Sequence, residues 1–229
     1  MTSVERPVLY TGAMVRARRA GRKTMTRRVV TPQPPHSCRY EMNGNGNKAL
    51  CLAGHGASML FVPPRGSSAD TFIRCPYGVV GDRLWTKETY RADARFDDRK
   101  PIDIPEGERI WYEADGPAPE WAGRIRQSIF MRRWMSRGLD ELVEVRVERV
   151  SQISDGDAER EGIECAPVHV RDVDEWGCRD GGRSHHWSCR KPFRELWDSI
   201  NAARGYGWDA NPFVWVLSFR VLEGAVRAA

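Results

Sequence analysis

The sequence predicts an α+β fold built on a mostly antiparallel sheet or barrel, with flanking helices and long loop insertions. Three observations carry that reading. Several stretches alternate apolar and polar residues with the period of two that half-buried strands need. Two other stretches repeat at helical spacing. Strands and helices follow one another in no alternating β–α order, which argues against a parallel, doubly wound sheet. At 229 residues, 41% of them hydrophobic, the chain is long enough for a sizeable core. That length suits one large domain or two small ones. There are no internal repeats, and the chain reads as one domain over 1–229 with insertions at about 31–70 and 164–190.

The elements follow in order. A short strand over Val8–Tyr10 comes first. A helix over about Ala13–Ala20 is next, with Ala13, Met14, Ala17 and Ala20 as its narrow apolar stripe. Gly21 closes it, because glycine takes positive φ without strain. Arg18 and Arg19 in the last turn suit the negative end of the helix dipole. Residues 31–70 hold Pro32, Pro34, Pro35, NGNGN at 43–47 and PPRGSS at 63–68, so little there can pack. RLWTKETY at 83–90 and RIWYEAD at 109–115 alternate like strands. ELVEVRVERVSQIS at 141–154 is the clearest strand, with one slip in phase that fits a bulge. Ser154 caps a short helix over 155–162, acidic at its start as the dipole prefers. Residues 164–190 form a second polar excursion. Pro192 opens a helix in which Phe193, Leu196, Trp197 and Ile200 recur at i, i+3, i+4 and i+7, and Gly205 and Gly207 stop it. FVWVLSFRVLE at 213–223 is the last strand. Periodicity places Trp85, Trp197 and Trp215 in the core.

Composition narrows the function classes. Lys and Arg number 36 against 31 Asp and Glu, a formal charge of +5. That excess permits a nucleic-acid partner without demanding one. No apolar run approaches the roughly 18 residues of a membrane span, and no signal-peptide segment follows the start. The expectation is a cytoplasmic protein with no membrane partner. The six cysteines include no CxxC pair, and reduced thiols are expected. Cys38, Cys51, Cys75, Cys178 and Cys189 with His185 and His186 could supply zinc ligands, but no spacing is diagnostic and loop His and Cys are more often bystanders. Nucleophile elbows, Walker loops, HExxH and Rossmann fingerprints are absent. Neither a metal nor another cofactor is expected.

Two basic patches are the candidate chemistry. In RARRAGRKTMTRR at 16–28, seven of thirteen residues are Arg or Lys. They form either a solvated helix end or, converging through the glycine turn, a phosphate-facing surface. In SIFMRRWMSR at 128–137, Arg132, Arg133 and Arg137 interleave with Phe130 and Trp134. Arginine with an aromatic suits base stacking and phosphate pairing, with Trp134 the stacking candidate; a core tryptophan among surface arginines is the bland alternative.

Gly21-Arg22-Lys23-Thr24-Met25-Thr26-Arg27-Arg28 resembles the G-x-K-x-x-(E/T)-x-R signature of ASCH domains, relatives of the PUA RNA-binding barrel. The order of other pieces is similar: a helix before the signature, G-D-x-L at Gly81-Asp82-Arg83-Leu84, a long strand running into a short acidic helix, and a closing F-x-W-V strand. CPYGVVGDRLWTKET and DANPFVWVLSF resemble ASCH-like proteins of tailed-phage and prophage genomes. The resemblance covers most of the chain outside the two excursions, and implies a PUA-like barrel. In finer detail the signature is similar to that of small acetylcytidine amidohydrolases, which also carry Thr rather than Glu at the position of Thr26. By position, their catalytic trio implies Lys23, Thr26 and Glu161, with Glu159 the fallback for the last. Thr26 would be the nucleophile or hold a water, Lys23 a base lowered in pKa by nearby arginines, and Glu161 the proton shuttle to the leaving nitrogen. Arg28 would hold a phosphate or oxyanion, with Arg22, Arg27, Arg132, Arg133 and Trp134 as further binding residues. The expected partner is a nucleoside or a nucleic acid, RNA or single-stranded DNA. The expected function is nucleobase or nucleic-acid recognition with hydrolysis of an acyl amide on a modified cytosine nucleoside. A non-catalytic RNA- or DNA-binding module is the alternative, and a metal-independent nuclease ranks third.

Overall fold

A computed structural model of the chain describes residues 3–34, 58–61, 71–167 and 187–222. The chain is α+β. In order, it forms β1 (Glu5–Leu9), α1 (Gly12–Arg19), β2 (Met25–Val29), β3 (Ser58–Phe61), β4 (Thr71–Arg74), β5 (Arg83–Lys87), β6 (Tyr90–Ala92) and β7 (Ile110–Tyr112). After these come β8 (Leu139–Arg149), α2 (Asp155–Arg160), β9 (Ala166–Pro167), β10 (Trp187–Ser188), α3 (Arg190–Asn201) and β11 (Phe213–Val221). Two compact units result. The first is Met1–Gly21, Pro76–Val143 and Phe219–Ala229; the second is Arg22–Cys75 and Glu144–Ser218. Both β8 and β11 run from one unit into the other.

In the first unit β1 lies parallel to β5, from Glu5↔Arg83 to Leu9↔Lys87, and β5 is antiparallel to the start of β8. Asp82 sets the start of β5. Its Oδ1 accepts from Val4 N at 3.0 Å, and its Oδ2 accepts from Val79 N at 3.1 Å and Arg6 at 2.7 Å. Burial alone would raise the Asp82 pKa, but the two amides and the Arg6 guanidinium outweigh it and hold the carboxyl below its ordinary range. The strand run expected over 83–90 breaks after Lys87, and β6 then pairs antiparallel with β7. Tyr90, Ala92, Ile104, Met131 and Met135 form a small core, with Tyr112 and Trp134 packed against it.

α1 corrects the sequence reading. Thr11 caps it by accepting from Met14 N at 3.4 Å, and Gly21 ends it at φ +74°. The buried side is Val15, Ala17 and Arg18 rather than Ala13, Met14, Ala17 and Ala20. Arg18 is the reason: its Nε meets both Asp140 carboxylate oxygens, at 2.8 and 2.9 Å, and the helix turns that residue inward. Trp85 is a second correction. Leu84, Thr86 and Glu88 take the buried side of β5, so Trp85 is only half-buried, with the Lys87 ammonium 5.3 Å from its ring.

In the second unit β2 pairs antiparallel with β11, from Met25↔Ser218 to Val29↔Val214. β3 pairs with β4, and β9 with β10, all antiparallel. β3 lies in a stretch read from sequence as a loop; 35–57, 62–70 and 168–186 lie outside the described residues. The core gathers Met25, Val150, Ile153, Ala158, Phe193, Trp197, Trp208, Val214 and Val216. Trp197 and Trp215 are buried, as their periodicity predicts. The phase slip in β8 is also present: buried positions are Asp140 and Leu142, then Val145 and Val147. Cys165 and Cys189 form a disulfide, where reduced thiols were expected. The two lie 24 residues apart, and the antiparallel β9–β10 ladder, which sets Ser188 opposite Ala166, brings the adjoining Cys189 and Cys165 together. Among the described residues no helix is long and apolar enough to cross a membrane.

Candidate functional site

The site lies in the second unit, where the end of α2 is stitched to the start of β2. Ser154 Oγ accepts from Asp157 N at 3.1 Å and starts α2; the helix ends at Glu161, and Gly162 turns the chain at φ +84°. Thr24 N then donates to Arg160 O at 2.8 Å, and Lys23 and Glu161 form an isolated antiparallel bridge. This bridge brings the two side chains together.

Lys23 Nζ donates to Glu161 Oε2 at 2.8 Å, to Glu161 O at 2.9 Å and to Met25 O at 2.9 Å. Three acceptors match the three protons of an ammonium. Lys23 is fully buried and Glu161 is 5% exposed. Burial pushes the Lys23 pKa below the ordinary lysine range; Glu161 opposes this by charge and hydrogen bond, and Arg28 and Arg27 add to it. Burial, rather than the arginines, is therefore the leading cause.

Arg27 continues the network. It reaches Asp157 Oδ2 at 2.7 Å and Glu148 Oε2 at 3.1 Å, and lies 3.5 Å from Glu161 Oε1. Arg146 crosses from the other side to Asp157 and Glu148, at 2.7 and 3.0 Å. Two atoms of this network are buried and make no hydrogen bond among the described residues, Arg27 Nε and Glu161 Oε1. A buried carboxylate oxygen in that state is a poised acceptor for a proton or a polar ligand atom.

The other candidate residues divide. Thr26 is buried beside Leu217, its partner in the β2–β11 ladder. Strand alternation sends its side chain to the face opposite Met25 and Arg27, and Arg28, opposite Trp215, shares that face. Arg22 is exposed and pairs with Glu164 at 3.1 Å. Glu159, the fallback for Glu161, is exposed. Arg132, Arg133 and Trp134 belong to the first unit. Arg132 is exposed, Arg133 pairs with Glu5 at 2.6 Å, and Trp134 packs half-buried on the Tyr90–Met135 core.

Comparison with protein-family models, curated proteins and solved structures finds no match.

The sequence reading missed Asp157 and Glu148. Asp157 was read only as a first-turn acid, and Glu148 only as the polar side of a strand. The signal that could have found them is the density of arginine itself, since a guanidinium buried by folding needs acceptors and an acid is the strongest of these. The basic run at 16–28 is accordingly not a bare phosphate surface: Arg18 pairs with Asp140, Arg19 with Asp115, Lys23 with Glu161 and Arg27 with Asp157. Glu159, Cys165 and Cys189 place their ligating atoms within 4.8 Å of one another, but both sulfurs are committed to the disulfide. Cys75 is buried in the second unit; Cys38, Cys51, Cys178, His185 and His186 lie outside the described residues.

Proposed function

We propose that the protein is an ASCH-type, PUA-like barrel protein of phage kind that recognises a nucleobase or nucleic acid and hydrolyses an acyl amide on a modified cytosine nucleoside. One observation supports it above the rest. Lys23 and Glu161, 138 positions apart in sequence and paired only by the ASCH resemblance, meet at 2.8 Å. Amide hydrolysis needs a base for the attacking water and an acid for the leaving amine. Glu161 Oε1, with no hydrogen bond of its own, takes the water proton. Lys23, hydrogen-bonded to the same carboxylate, gives a proton to the leaving nitrogen and recovers it from Glu161. Thr26 points to the other face of β2, so water rather than its hydroxyl is assigned as the nucleophile. Substrates of this class place the protein in the cytoplasm, that of the host if phage-encoded.

The test is incubation with a panel of acylated cytidines and deoxycytidines, read by mass. Deacylation is expected, and Lys23→Arg should abolish it, because arginine does not release a proton at accessible pH. Full turnover by Lys23→Arg, or no turnover on any member of the panel, removes the hydrolase reading. The non-catalytic binding module is favoured by a separate observation, an exposed aromatic groove in the first unit.

A further inference from the structure

The first unit carries a groove of about 310 Å³ lined by Pro101, Arg124, Ile125, Arg126, Gln127 and Phe130. That volume is at the small end of ligand pockets, which begin at roughly 300 Å³. Its walls are rigid. Arg126 is buried, bridges in both directions to Tyr90, and donates to Arg99 O at 3.0 Å and Phe96 O at 2.6 Å. Asp97 holds the backbone of Arg124 at 2.9 Å, and a Cβ on Gly123 would stand 2.2 Å from Asp97 Oδ1, so only glycine admits this approach. Phe130 is fixed by its backbone, donating to Gln127 O at 3.1 Å.

On this frame the apolar side chains face outward. Phe130 is 57% exposed and Ile125 56%; Ile129, next to Phe130 in the chain, and Ile102, next to Pro101, are exposed as well. Arg99, Lys100, Arg124 and Arg132 are exposed and, among the described residues, form no ion pair. Of these four cations Arg124 lines the groove; Arg99, Lys100 and Arg132 stand within two residues of a lining residue along the chain, and the acids nearby are Asp97, Asp98 and Asp103.

We propose that this groove binds single-stranded nucleic acid, with a base stacked on Phe130 and phosphates held by Arg124 and Arg132. The inference rests on the nucleic-acid part of the function proposed above and is independent of the Lys23–Glu161 chemistry. An exposed aromatic face with unpaired cations around it is what sequence-tolerant strand binding uses. Trp134, the stacking candidate from sequence, is held by the core instead; Phe130, four residues earlier, is the aromatic left open. A second copy of the chain is the competing occupant, but Arg124 in the groove, with Arg99, Lys100 and Arg132 close to its lining residues in the chain, would repel its own image across a two-fold contact.

The test uses fluorescein-labelled 12-mers of oligo(U) and oligo(dT), read by anisotropy over a salt series, with sedimentation to report the oligomeric state. Phe130→Ala should weaken binding about 5- to 150-fold. Phe130→Leu keeps apolar area without a ring face and should weaken it nearly as much. Arg124→Ala with Arg132→Ala should lower the slope of log K against log salt by about 1.4, at roughly 0.7 for each phosphate contact on a single strand. Parent-like binding by the Phe130 variants, an unchanged salt slope, or no binding of either 12-mer overturns the inference. So does a concentration-dependent dimer that Phe130→Asp dissolves while no oligonucleotide binds. These outcomes leave the deacylation assay untouched, so the two proposals fail separately.

Discussion

Replacing Glu161 by Gln keeps the size and one acceptor of the side chain but removes its charge. Lys23 would then be a fully buried cation facing neutral oxygens, Met25 O and Glu161 O among them. Arg27 would lose little, because Asp157 and Glu148 still hold it. Breaking a buried pair from one side costs about 3–5 kcal/mol. A second route bounds the same number. Lys23 can escape by losing its proton, which at pH 7 against a free-lysine pKa of about 10.4 costs about 4.6 kcal/mol at roughly 1.4 kcal/mol per unit. The expected loss is therefore about 3–5 kcal/mol. It also has a pH signature. The folded Lys23 pKa is already lowered by burial, and the substitution lowers it further. Between that pKa and the unfolded one the unfolded chain binds more protons, so the stability of the variant rises with pH and the deficit shrinks toward pH 10. Urea denaturation at pH 7 and 9.5, followed by tryptophan fluorescence, reads both effects. The second-unit tryptophans Trp197 and Trp208 pack in the core that holds β2 and α2. The double change Lys23→Met with Glu161→Met should recover much of the loss, since an apolar pair can replace a buried ion pair. A Glu161→Gln protein within about 0.5 kcal/mol of the parent at pH 7, or one whose deficit is the same at both pH values, refutes the buried-pair reasoning.

Other consequences are simpler to measure. Asp82→Ala removes the acceptor of Val4 N, Val79 N and Arg6, and should cost roughly 1.5–3 kcal/mol or more by chemical denaturation. Because the Asp82 pKa is lowered, its stabilisation is present above the unfolded value and disappears as pH falls through the folded one; an Asp82→Asn protein should show a flatter acid limb. Gly138→Ala would bring a Cβ to 2.5 Å from Thr86 Oγ1 and 3.2 Å from Arg18 Cζ, and should lower stability by about 1–3 kcal/mol. Tyr112, whose hydroxyl donates to Met135 O at 2.7 Å, is pushed up to about 12 by burial, and burial raises Tyr90 as well, so an ultraviolet titration should find tyrosine still protonated well above pH 10. A non-reducing digest should yield a Cys165–Cys189 cross-linked peptide, and its absence would contradict the disulfide.

Much of the local order follows from the sequence alone. The Ser154 cap, the Gly21 turn, the phase slip in β8 and the helix over Phe193–Ile200 are set by neighbours within a few residues, and each stands where its chemistry requires. The resemblance singled out Lys23, Thr26 and Glu161; Lys23 and Glu161 meet, and Thr26 leaves β2 on the other face. What the tertiary structure decided is the direction of side chains and the company they keep. Periodicity could not show that α1 would turn Arg18 inward, because the cause is Asp140, 122 positions away. It could not tell that Thr26 leaves β2 opposite Arg27, since that depends on which face of the strand meets the Phe193–Trp208 core. It could not choose between Phe130 and Trp134 as the open aromatic; the choice lies with Tyr90 and Met135, which hold Trp134 and leave Phe130 in water. Composition likewise reported an excess of positive charge but not its distribution. Desolvating a guanidinium or ammonium is costly unless an acid accompanies it, so folding draws Asp140, Asp157 and Glu161 onto the buried cations. Arg124 and Arg132 remain at the surface, where water solvates them with no carboxylate partner among the described residues.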